Sequence, residues 1–287
     1  MKRLTIILVL CLSAFAAMAQ SRIITDTLSS KVLGKDVPFN VYLPAGFDKS
    51  DAQYPVVYLL HGLYGTHLDW ESVGRLKLVA DPLIASGEAV PMVIIMPCAG
   101  HEDVHHVQNG YFNMPGCNYE DFFFTEFLPS VEKKYRCIGD KEHRAIMGLS
   151  MGGGGSTVYS QRHPEMFSSC YAMSAWLDND RDQVKNAADK DKEDKLYIVA
   201  KSVIDHSALD FIANADDATI EKLKTVKWFF DCGDDDFLLE LSVNLHLMMV
   251  RKGIRNELRV RDGAHTWEYW HTALYTSLPF ASRNFAK

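Results

Sequence analysis

The sequence has few cysteines and, beyond its first twenty residues, no long apolar run. Its 287 residues include 6 cysteines and no C-x-x-C pair, which excludes a small disulfide framework. Because 47% of the residues are hydrophobic and 23% are charged, the chain is neither intrinsically disordered nor collagen-like. It is long enough to bury one large hydrophobic core.

Basic residues are also scarce, and they form no cluster. Lys and Arg total 30 against 37 Asp and Glu, which gives a net charge of −7. Without Lys2 and Arg3 the remaining 28 basic residues give a net charge of −9. Since nucleic-acid binding needs a basic patch, we expect no nucleic-acid partner.

The amino terminus has the pattern of an export signal. Lys2 and Arg3 precede an apolar stretch over residues 4–16, and Ala17-Met-Ala19 has the small-x-small form of a cleavage site. We predict cleavage after Ala19, so that residues 1–19 are a signal peptide and residues 20–287 are periplasmic or secreted. The stretch is too short for a comfortable membrane span, although an uncleaved anchor is the alternative. We therefore expect no stable membrane insertion.

The rest of the chain alternates short apolar runs with segments of helical spacing. Strands are predicted at 22–28, 38–43, 55–60, 92–96, 143–148, 167–173, 226–231 and 257–261. Helices are predicted at 76–85, 119–135, 151–162, 237–251 and 267–285. Strands separated by helices indicate the α/β class, with a parallel sheet covered on both faces.

One segment interrupts this alternation. Twelve of the eighteen residues in 178–195 are charged, and the excursion between two core strands continues to residue 225. We interpret 177–225 as a cap-like insertion within a single domain over 20–287, because such excursions often lie beside an active site. A passive surface segment is the alternative.

The run Gly148-Leu149-Ser150-Met151-Gly152 fits the G-x-S-x-G pattern of a serine nucleophile. A predicted strand precedes it and a predicted helix follows it. A serine on such a sharp turn is pushed out over the sheet edge, and the flanking glycines are needed because a Cβ there would meet neighbouring backbone. We predict that Ser150 is a nucleophile.

A serine nucleophile needs a base, and the base needs an acid that orients it. Asp236 follows a predicted strand, and His265 lies in the loop after the next one, so the chain order is Ser, Asp, His. Asp234 and Asp235 are fallback acids. The competing histidines lie in the insertion or in predicted helices; they are His206, His246 and His271.

Acyl transfer also needs donors for the oxyanion that develops on the substrate. One predicted donor is the backbone N–H of Met151, directly after the nucleophile. The other is the N–H of Leu63, in the glycine-containing loop at 61–65 that follows a buried strand.

Several loops at the expected active-site edge carry further candidates. His101 to His105 fits H-E-x-x-H, but flanking Pro97 and Gly100 argue against the helix that a zinc site on this motif needs, so we expect no metal. His105 is instead a candidate for substrate contact. Aromatic side chains of these loops are placed to stack on a sugar or phenolic ring; they are Tyr64, Trp70, Tyr111, Trp176 and Trp267.

These motifs resemble those of the esterase D/feruloyl esterase family of α/β-hydrolases. The matching stretches are VYLPAGF (41–47), YPVVYLLHG (54–62), NYEDFF (118–123), GLSMGG (148–153), CGDDDFL (232–238) and GAHTW (263–267). The resemblance implies an eight-stranded, mostly parallel sheet and a serine carboxylesterase. It implies Ser150 as nucleophile, His265 as base and Asp236 as acid, three residues after Gly233.

The family includes feruloyl, acetylxylan and siderophore esterases, S-formylglutathione hydrolases and mycolyltransferases. We expect an exported serine esterase that releases feruloyl or acetyl groups from xylan-like polysaccharides, without a cofactor. Its expected partner is an ester-bearing carbohydrate or small molecule. A siderophore or other small-ester hydrolase is one alternative, and a non-catalytic carbohydrate-binding protein on a hydrolase scaffold is another.

Overall fold

The short apolar runs form strands in the computed structural model, which describes residues 20–188 and 192–287. The strands of this part of the chain are β1 (Arg22–Ser30), β2 (Lys35–Leu43), β3 (Val56–Leu60), β4 (Val93–Pro97), β5 (Asn113–Met114), β6 (Cys117–Asn118), β7 (Arg144–Leu149), β8 (Ser169–Met173), β9 (Lys227–Gly233) and β10 (Asn256–Arg261).

Eight of these strands form one sheet in the order β1-β2-β4-β3-β7-β8-β9-β10, and β5 pairs with β6 in a separate hairpin. Strands from β4 to β10 in this order are parallel, whereas β2 is antiparallel to both of its neighbours. The register places Leu60 opposite Gly148, and Leu149 opposite Met173. The loops after β3, β7 and β8 therefore leave the sheet at the same edge, where ligands bind in open α/β sheets. The predicted mostly parallel, eight-stranded α/β fold is confirmed.

Helices cover both faces of this sheet. Those of the described residues are α1 (Asp69–Ser72), α2 (Leu76–Ser86), α3 (Tyr119–Phe122), α4 (Leu128–Lys134), α5 (Met151–Arg162), α6 (Arg181–Ala188), α7 (Lys195–Asp205), α8 (Ala208–Asn214), α9 (Asp217–Leu223), α10 (Leu239–Arg251) and α11 (Trp267–Asn284).

Strand β3 shows how the sheet divides the core. Val57 and Leu59 pack with α2 and α11 on one face, and Tyr58 and Leu60 pack with α4, α5 and α10 on the other. All five residues of β3 are buried because successive side chains point to opposite, equally covered faces. The central strands thus form a rigid base for the loops at their carboxyl ends.

The helix predicted over 119–135 is interrupted. A π-helical turn, Phe123–Phe127, separates α3 from α4. Pro129 has no N–H to continue the α-helical bonding pattern, and the wider turn leaves both Phe123 and Phe127 fully buried. The helix predicted from residue 237 begins instead at Leu239, because Asp236 accepts the N–H of Leu238 in a turn that precedes the helix.

Helices α6, α7, α8 and α9 lie between β8 and β9, where the sequence predicts an insertion. Acidic and serine side chains cap three of them at the amino end. Asp194 precedes α7, Ser207 precedes α8 and Asp216 precedes α9, and each accepts at least one backbone N–H of its helix. Helix α8 packs against α5 and α10, and α7 packs against β5. The interpretation of 177–225 as a cap-like insertion stays a prediction.

The thiols of the described residues are all free, including the buried Cys117, Cys137, Cys170 and Cys232. Burial raises the pKa of the Cys170 and Cys232 thiols to about 12, so both stay protonated at neutral pH. The sheet and its helices are therefore held together by packing and hydrogen bonds.

The predicted signal peptide, residues 1–19 with cleavage after Ala19, lies outside the described residues. Within the described part of the chain, no helix is both long enough and apolar enough to span a lipid bilayer.

Candidate active site

Ser150 occupies a strained turn between β7 and α5. Its backbone has φ 53° and ψ −117°, a conformation that a non-glycine residue rarely adopts. The N–H of Ser150 donates to the carbonyl oxygen of Met173 on β8, at 2.9 Å, which fixes the turn against the sheet. The predicted strand–serine–helix arrangement is therefore present, with the strain placed at the serine itself.

The glycines beside Ser150 allow unusually close backbone contacts. A Cβ on Gly148 would lie 2.5 Å from the carbonyl oxygen of Gly152, and one on Gly152 would lie 2.5 Å from that of His61. One turn later, a Cβ on Gly154 would overlap the carbonyl oxygen of Trp176. The run of glycines thus lets the amino end of α5, which directly follows Ser150, pack closely against the backbone after β3 and after β8. The free N–H groups and positive dipole of this helix end lie beside Ser150.

His265 lies beside Ser150, although the two are far apart in sequence. The Oγ–H of Ser150 donates to Nε2 of His265 at 3.0 Å, and His265 Nδ1–H donates to Asp236 Oδ2 at 2.9 Å and to Oδ1 at 3.0 Å. A carboxylate only accepts hydrogen bonds, so it holds the proton on Nδ1 and leaves the Nε2 lone pair facing the serine. The structure brings together the three residues that the sequence pattern singles out.

The Asp236 carboxyl group is enclosed, yet it remains ionised. Burial acts to raise its pKa, but hydrogen bonds from His265, Ser174 and the Leu238 N–H outweigh this effect and hold the pKa below its ordinary value. At neutral pH the group is therefore a carboxylate, the form needed to orient His265.

The two fallback acids have a different role. Asp234 Oδ1 accepts the N–H of Gly263 at 3.0 Å, and the N–H of Asp235 donates to the carbonyl oxygen of Gly263 at 3.0 Å. Both side chains are exposed, and the Asp234 carboxylate and the Asp235 backbone N–H join the turn after β9 to the loop after β10. Neither of them contacts His265 in the described structure.

The competing histidines lie away from Ser150. His206 stacks on Phe112, with ring centroids 4.5 Å apart. His246 bonds to Asn256, and His271 bonds to the carbonyl oxygen of Gly74. Among the histidines considered from the sequence, His265 alone forms a hydrogen bond with Ser150 in the described structure.

Two backbone N–H groups point to an oxyanion site. Met151 is the first residue of α5, so its N–H has no acceptor within the helix. In the described part of the chain, the N–H of Leu63 also donates to no protein acceptor. Met151 directly follows Ser150 and Leu63 lines the cavity, and the assignment of these donors stays a prediction.

His61, which sequence reasoning did not assign a role, braces the loop that carries Leu63. Its Nε2 accepts the N–H of Ala99 at 2.9 Å, and its Nδ1–H donates to the carbonyl oxygen of Gly62 at 2.7 Å. Burial lowers its pKa to about 4, so the ring is neutral and can serve as both donor and acceptor. The His-Gly pair directly after a buried strand was the signal available in the sequence.

A cavity of about 490 Å³ opens in front of Ser150, within the size range of ligand pockets. Its walls are mainly apolar and aromatic; they consist of Gly62, Leu63, Tyr64, Gly65, Asp69, Leu149, Ser150, Trp176, Phe237, Leu238, His265, Trp267 and Trp270. In the described structure, no residue of 178–225 lines this cavity. The insertion therefore does not form its walls there.

The cavity also contains one half-buried carboxyl group, that of Asp69. Burial raises the pKa of this group, although the N–H and hydroxyl groups of Thr66 bond to it and act in the opposite direction. Asp69 thus supplies a polar contact in a wall that is otherwise largely aromatic.

Three of the six predicted substrate-contact residues line this cavity, namely Tyr64, Trp176 and Trp267. The other three lie outside it. Trp70 is fully buried, and its Nε1–H donates to the carbonyl oxygen of Leu60. Tyr111 is also buried, and its hydroxyl donates to the carbonyl oxygen of His61. These two side chains support the backbone beneath the cavity.

His105 is exposed and bonds to Asp194 through Nδ1, at 2.8 Å. The H-E-x-x-H segment that ends at His105 forms turns rather than a helix, so His101 and His105 do not share a helix face. In the described residues, no group of three or more His, Cys, Asp or Glu side chains is placed to hold a metal ion.

Ser174 and Trp270 are residues of the site that sequence reasoning missed. Ser174 is fully buried at φ 46° and accepts the Nε1–H of Trp270 at 2.9 Å. The Trp270 ring lies edge-on to His265, with centroids 4.9 Å apart. Because Ser174 also bonds to Asp236, the side chains of Ser174 and Trp270 together contact both His265 and Asp236. No local sequence pattern marks Ser174, which follows β8 as an ordinary serine.

A hydrogen-bonded serine, histidine and aspartate at the carboxyl edge of a mostly parallel sheet define a serine hydrolase of the α/β-hydrolase class. The chain belongs to the esterase family, since the family model described as "Putative esterase" matches residues 30–281.

The chain is similar to two proteins named as feruloyl or ferulic acid esterases, and it shares its fold with a third, more distant structure. It is 34% identical to an endo-1,4-beta-xylanase/feruloyl esterase of Xylanibacter ruminicola over 145 residues. This aligned region covers 49% of this chain and 20% of that protein. The chain is 49% identical to a solved ferulic acid esterase, with a TM-score of 0.88 and coverage of 93% of this chain and 99% of the other. An S-formylglutathione hydrolase of Staphylococcus aureus, 19% identical, shares the fold at a TM-score of 0.72, covering 92% of this chain and 99% of that one.

Proposed function

We propose that this protein is an exported serine carboxylesterase that releases feruloyl groups from xylan-like polysaccharides through an acyl-enzyme. The observation that carries the proposal is the hydrogen-bonded series Ser150–His265–Asp236 facing an aromatic cavity of about 490 Å³. The names of the xylanase/feruloyl esterase and of the ferulic acid esterase support the substrate class.

In the first half of the reaction, Ser150 Oγ attacks the ester carbonyl carbon while His265 Nε2 takes its proton. The carbonyl oxygen becomes negatively charged and accepts the N–H groups of Leu63 and Met151. When the tetrahedral intermediate collapses, the bond to the alcohol oxygen breaks and His265 Nε2–H protonates that oxygen. The acyl group is left on Ser150.

In the second half, water attacks the acyl-enzyme and gives its proton to His265, which then returns it to Ser150 Oγ. The carboxylic acid product leaves the cavity. Asp236 stays ionised throughout and stabilises the imidazolium that forms twice in each turnover. Every group invoked belongs to this chain or to its substrates.

The cavity also bears on the choice of acyl group. An acetyl group occupies a small part of about 490 Å³, whereas a phenylpropenoyl group can stack on Trp176 or Trp267. Acetyl esters are the second candidate, favoured by a 22% identical acetyl esterase of Caldicellulosiruptor saccharolyticus that aligns over 88% of this chain.

Steady-state kinetics on p-nitrophenyl ferulate and p-nitrophenyl acetate, which share one leaving group, test this proposal. We expect kcat/KM to be higher for the ferulate ester, and Ser150→Ala to lower kcat by about 10³-fold or more. Ser72→Ala, which removes an exposed hydroxyl on α1, is the matched control and should retain wild-type rates. Preference for the acetyl ester would favour the second candidate, and turnover by Ser150→Ala would reject the mechanism.

Export is proposed from the composition of residues 1–19 and is tested separately. Expression of the full chain in a bacterial host, followed by fractionation and mass spectrometry, should give a periplasmic or secreted protein that begins at Gln20. A cytoplasmic protein with an intact amino terminus would contradict this part of the proposal.

A further inference from the structure

Phe237 is the most exposed large hydrophobic residue at the cavity. Its side chain is 77% exposed, yet its ring lies against His265 with centroids 4.6 Å apart. Single exposed apolar residues are common and need no explanation by themselves. Here the position is informative, because Phe237 directly follows Asp236 in sequence and lines the cavity.

The chemistry of ester cleavage fixes what must lie next to His265. Nε2 protonates the departing alcohol oxygen, so that oxygen lies within hydrogen-bonding distance of the ring when the bond breaks. The carbonyl oxygen lies instead toward the N–H groups of Leu63 and Met151. The group attached to the alcohol oxygen therefore leaves past His265, whose ring is bordered by Phe237 and Trp270 at the cavity.

The charges beside Phe237 restrict what this group can be. Asp234 and Asp235 are exposed, and Asp236 is a carboxylate, so the turn carries three acidic residues in a row. Their charges disfavour an anionic alcohol, while a carboxylate such as that of Asp235 has lone pairs that can accept hydroxyl groups. Asp234 also retains acceptor capacity beyond its bond from Gly263.

We propose that the turn Asp234-Asp235-Asp236-Phe237 is the subsite for the alcohol part of the substrate and that it takes a neutral sugar. The ring of Phe237 covers the apolar face of the sugar, and Asp234 and Asp235 accept its hydroxyl groups. This inference rests on the proposed esterase function and adds to it the residues that contact the sugar leaving group.

Two esters with the same feruloyl group but different alcohols distinguish effects on the alcohol side of the site from effects on the acyl side. For Phe237→Ala we expect kcat/KM to fall about tenfold on feruloyl-arabinose, the scale of one lost aromatic contact, but only about twofold on methyl ferulate. Phe237→Trp keeps an aromatic face and should keep the sugar ester close to the wild-type rate. Tyr275→Ala is the matched control, since Tyr275 is an exposed aromatic residue of α11, outside the cavity.

A second pair of esters tests the charge argument. The wild type should cleave the feruloyl ester of ethylene glycol faster than that of glycolate, whose alcohol part is anionic. Replacing both Asp234 and Asp235 by asparagine should lower the ratio of the two kcat/KM values several-fold, most clearly at low ionic strength. An unchanged ratio in the double variant would show that these carboxylates do not face the alcohol.

The outcomes also distinguish this subsite from the activity on which it rests. Equal losses on both esters for Phe237→Ala would mean that Phe237 acts through His265, and no loss on either would place the sugar elsewhere. Both results overturn the subsite while the esterase activity stands. A wild-type protein that cleaves neither methyl ferulate nor feruloyl-arabinose would overturn both proposals.

Discussion

Ser150, the proposed nucleophile, and His265 and Asp236, the proposed base–acid pair, are held in place by different means. Ser150 is fixed by backbone packing, since Gly148 and Gly152 lie so close to neighbouring carbonyl groups that a Cβ would not fit. His265 and Asp236 sit on loops after β10 and β9 and are fixed by side-chain hydrogen bonds. The comparison teaches that steric changes should damage the nucleophile side, whereas changes of single polar groups should damage the base–acid side.

The largest effect is expected on the base–acid side. Asp236→Asn should lower kcat on methyl ferulate by about 10²- to 10⁴-fold, because the amide no longer holds the required tautomer of His265. Circular dichroism should show that the fold is retained. Asp234→Asn and Asp235→Asn should each lower kcat by less than about fivefold. A larger loss in either variant would identify that residue as the acid.

The buried ring of His61 makes the loop of Leu63 sensitive to acid. Its pKa is about 4 in the folded protein and about 6.5 in the unfolded chain, so between these values the unfolded state binds the extra proton. The free energy of unfolding should therefore fall as the pH drops from about 6.5 to 4, by up to about 3 kcal/mol from this group.

Urea unfolding at several pH values measures this dependence. His61→Gln keeps a donor and an acceptor but cannot titrate, so its unfolding free energy should vary less across the same interval. His67, whose pKa is also lowered by burial, is present in both proteins, so the difference between them reports His61 and its interaction with His67. Identical pH slopes in the two proteins would show that His61 is not buried as a neutral ring.

Added volume should damage the nucleophile side. Gly154→Ala places a Cβ on the carbonyl oxygen of Trp176, and we expect a loss of about 2–3 kcal/mol in unfolding free energy, together with reduced kcat. Gly34→Ala is the control, because Gly34 has φ +64° but open space around it. It should cost about 1–2 kcal/mol from backbone strain and leave kcat unchanged. A well-tolerated Gly154→Ala would contradict the steric account.

Ser174 tests the base–acid side more finely. Ser174→Ala removes bonds to Trp270 and Asp236, and we expect kcat to fall about tenfold, which corresponds to about 1.4 kcal/mol. Ser174→Gly removes the same hydroxyl but suits the positive φ, so it should show the same kcat loss with better stability than alanine. Unequal kcat values in the two variants would point to the backbone rather than the hydroxyl.

The smallest effect is expected in the insertion. Asp194 caps α7 by accepting the N–H groups of Leu196 and Tyr197, so Asp194→Ala should cost about 1 kcal/mol of stability. Because Asp194 lies outside the cavity, kcat/KM on methyl ferulate should stay within about twofold. Thermal unfolding checks the stability and initial rates check kcat/KM. A large loss of kcat would show that the insertion contributes to the active site.

Local patterns in the sequence were enough to predict the sheet and the order Ser150, Asp236, His265. The sharp turn around Ser150 requires glycines at fixed spacing, which the G-x-S-x-G motif shows, and the proposed acid and base each follow a strand. Contacts between residues that are distant in sequence produce no such local pattern. The positions of Trp70 and Tyr111 beneath the cavity, and of Ser174 between Trp270 and Asp236, depend on which loops meet in three dimensions. The π-helical turn at Phe123–Phe127 likewise follows from tertiary packing.

The central claim is that Ser150 is a nucleophile activated by His265 and Asp236, and labelling with a fluorophosphonate probe tests it most directly. Peptide mapping of the wild-type protein should find the adduct on Ser150 alone, and His265→Ala and Asp236→Asn should react at least about 100-fold more slowly. An adduct on another residue, or equal labelling rates in all three proteins, would contradict the account.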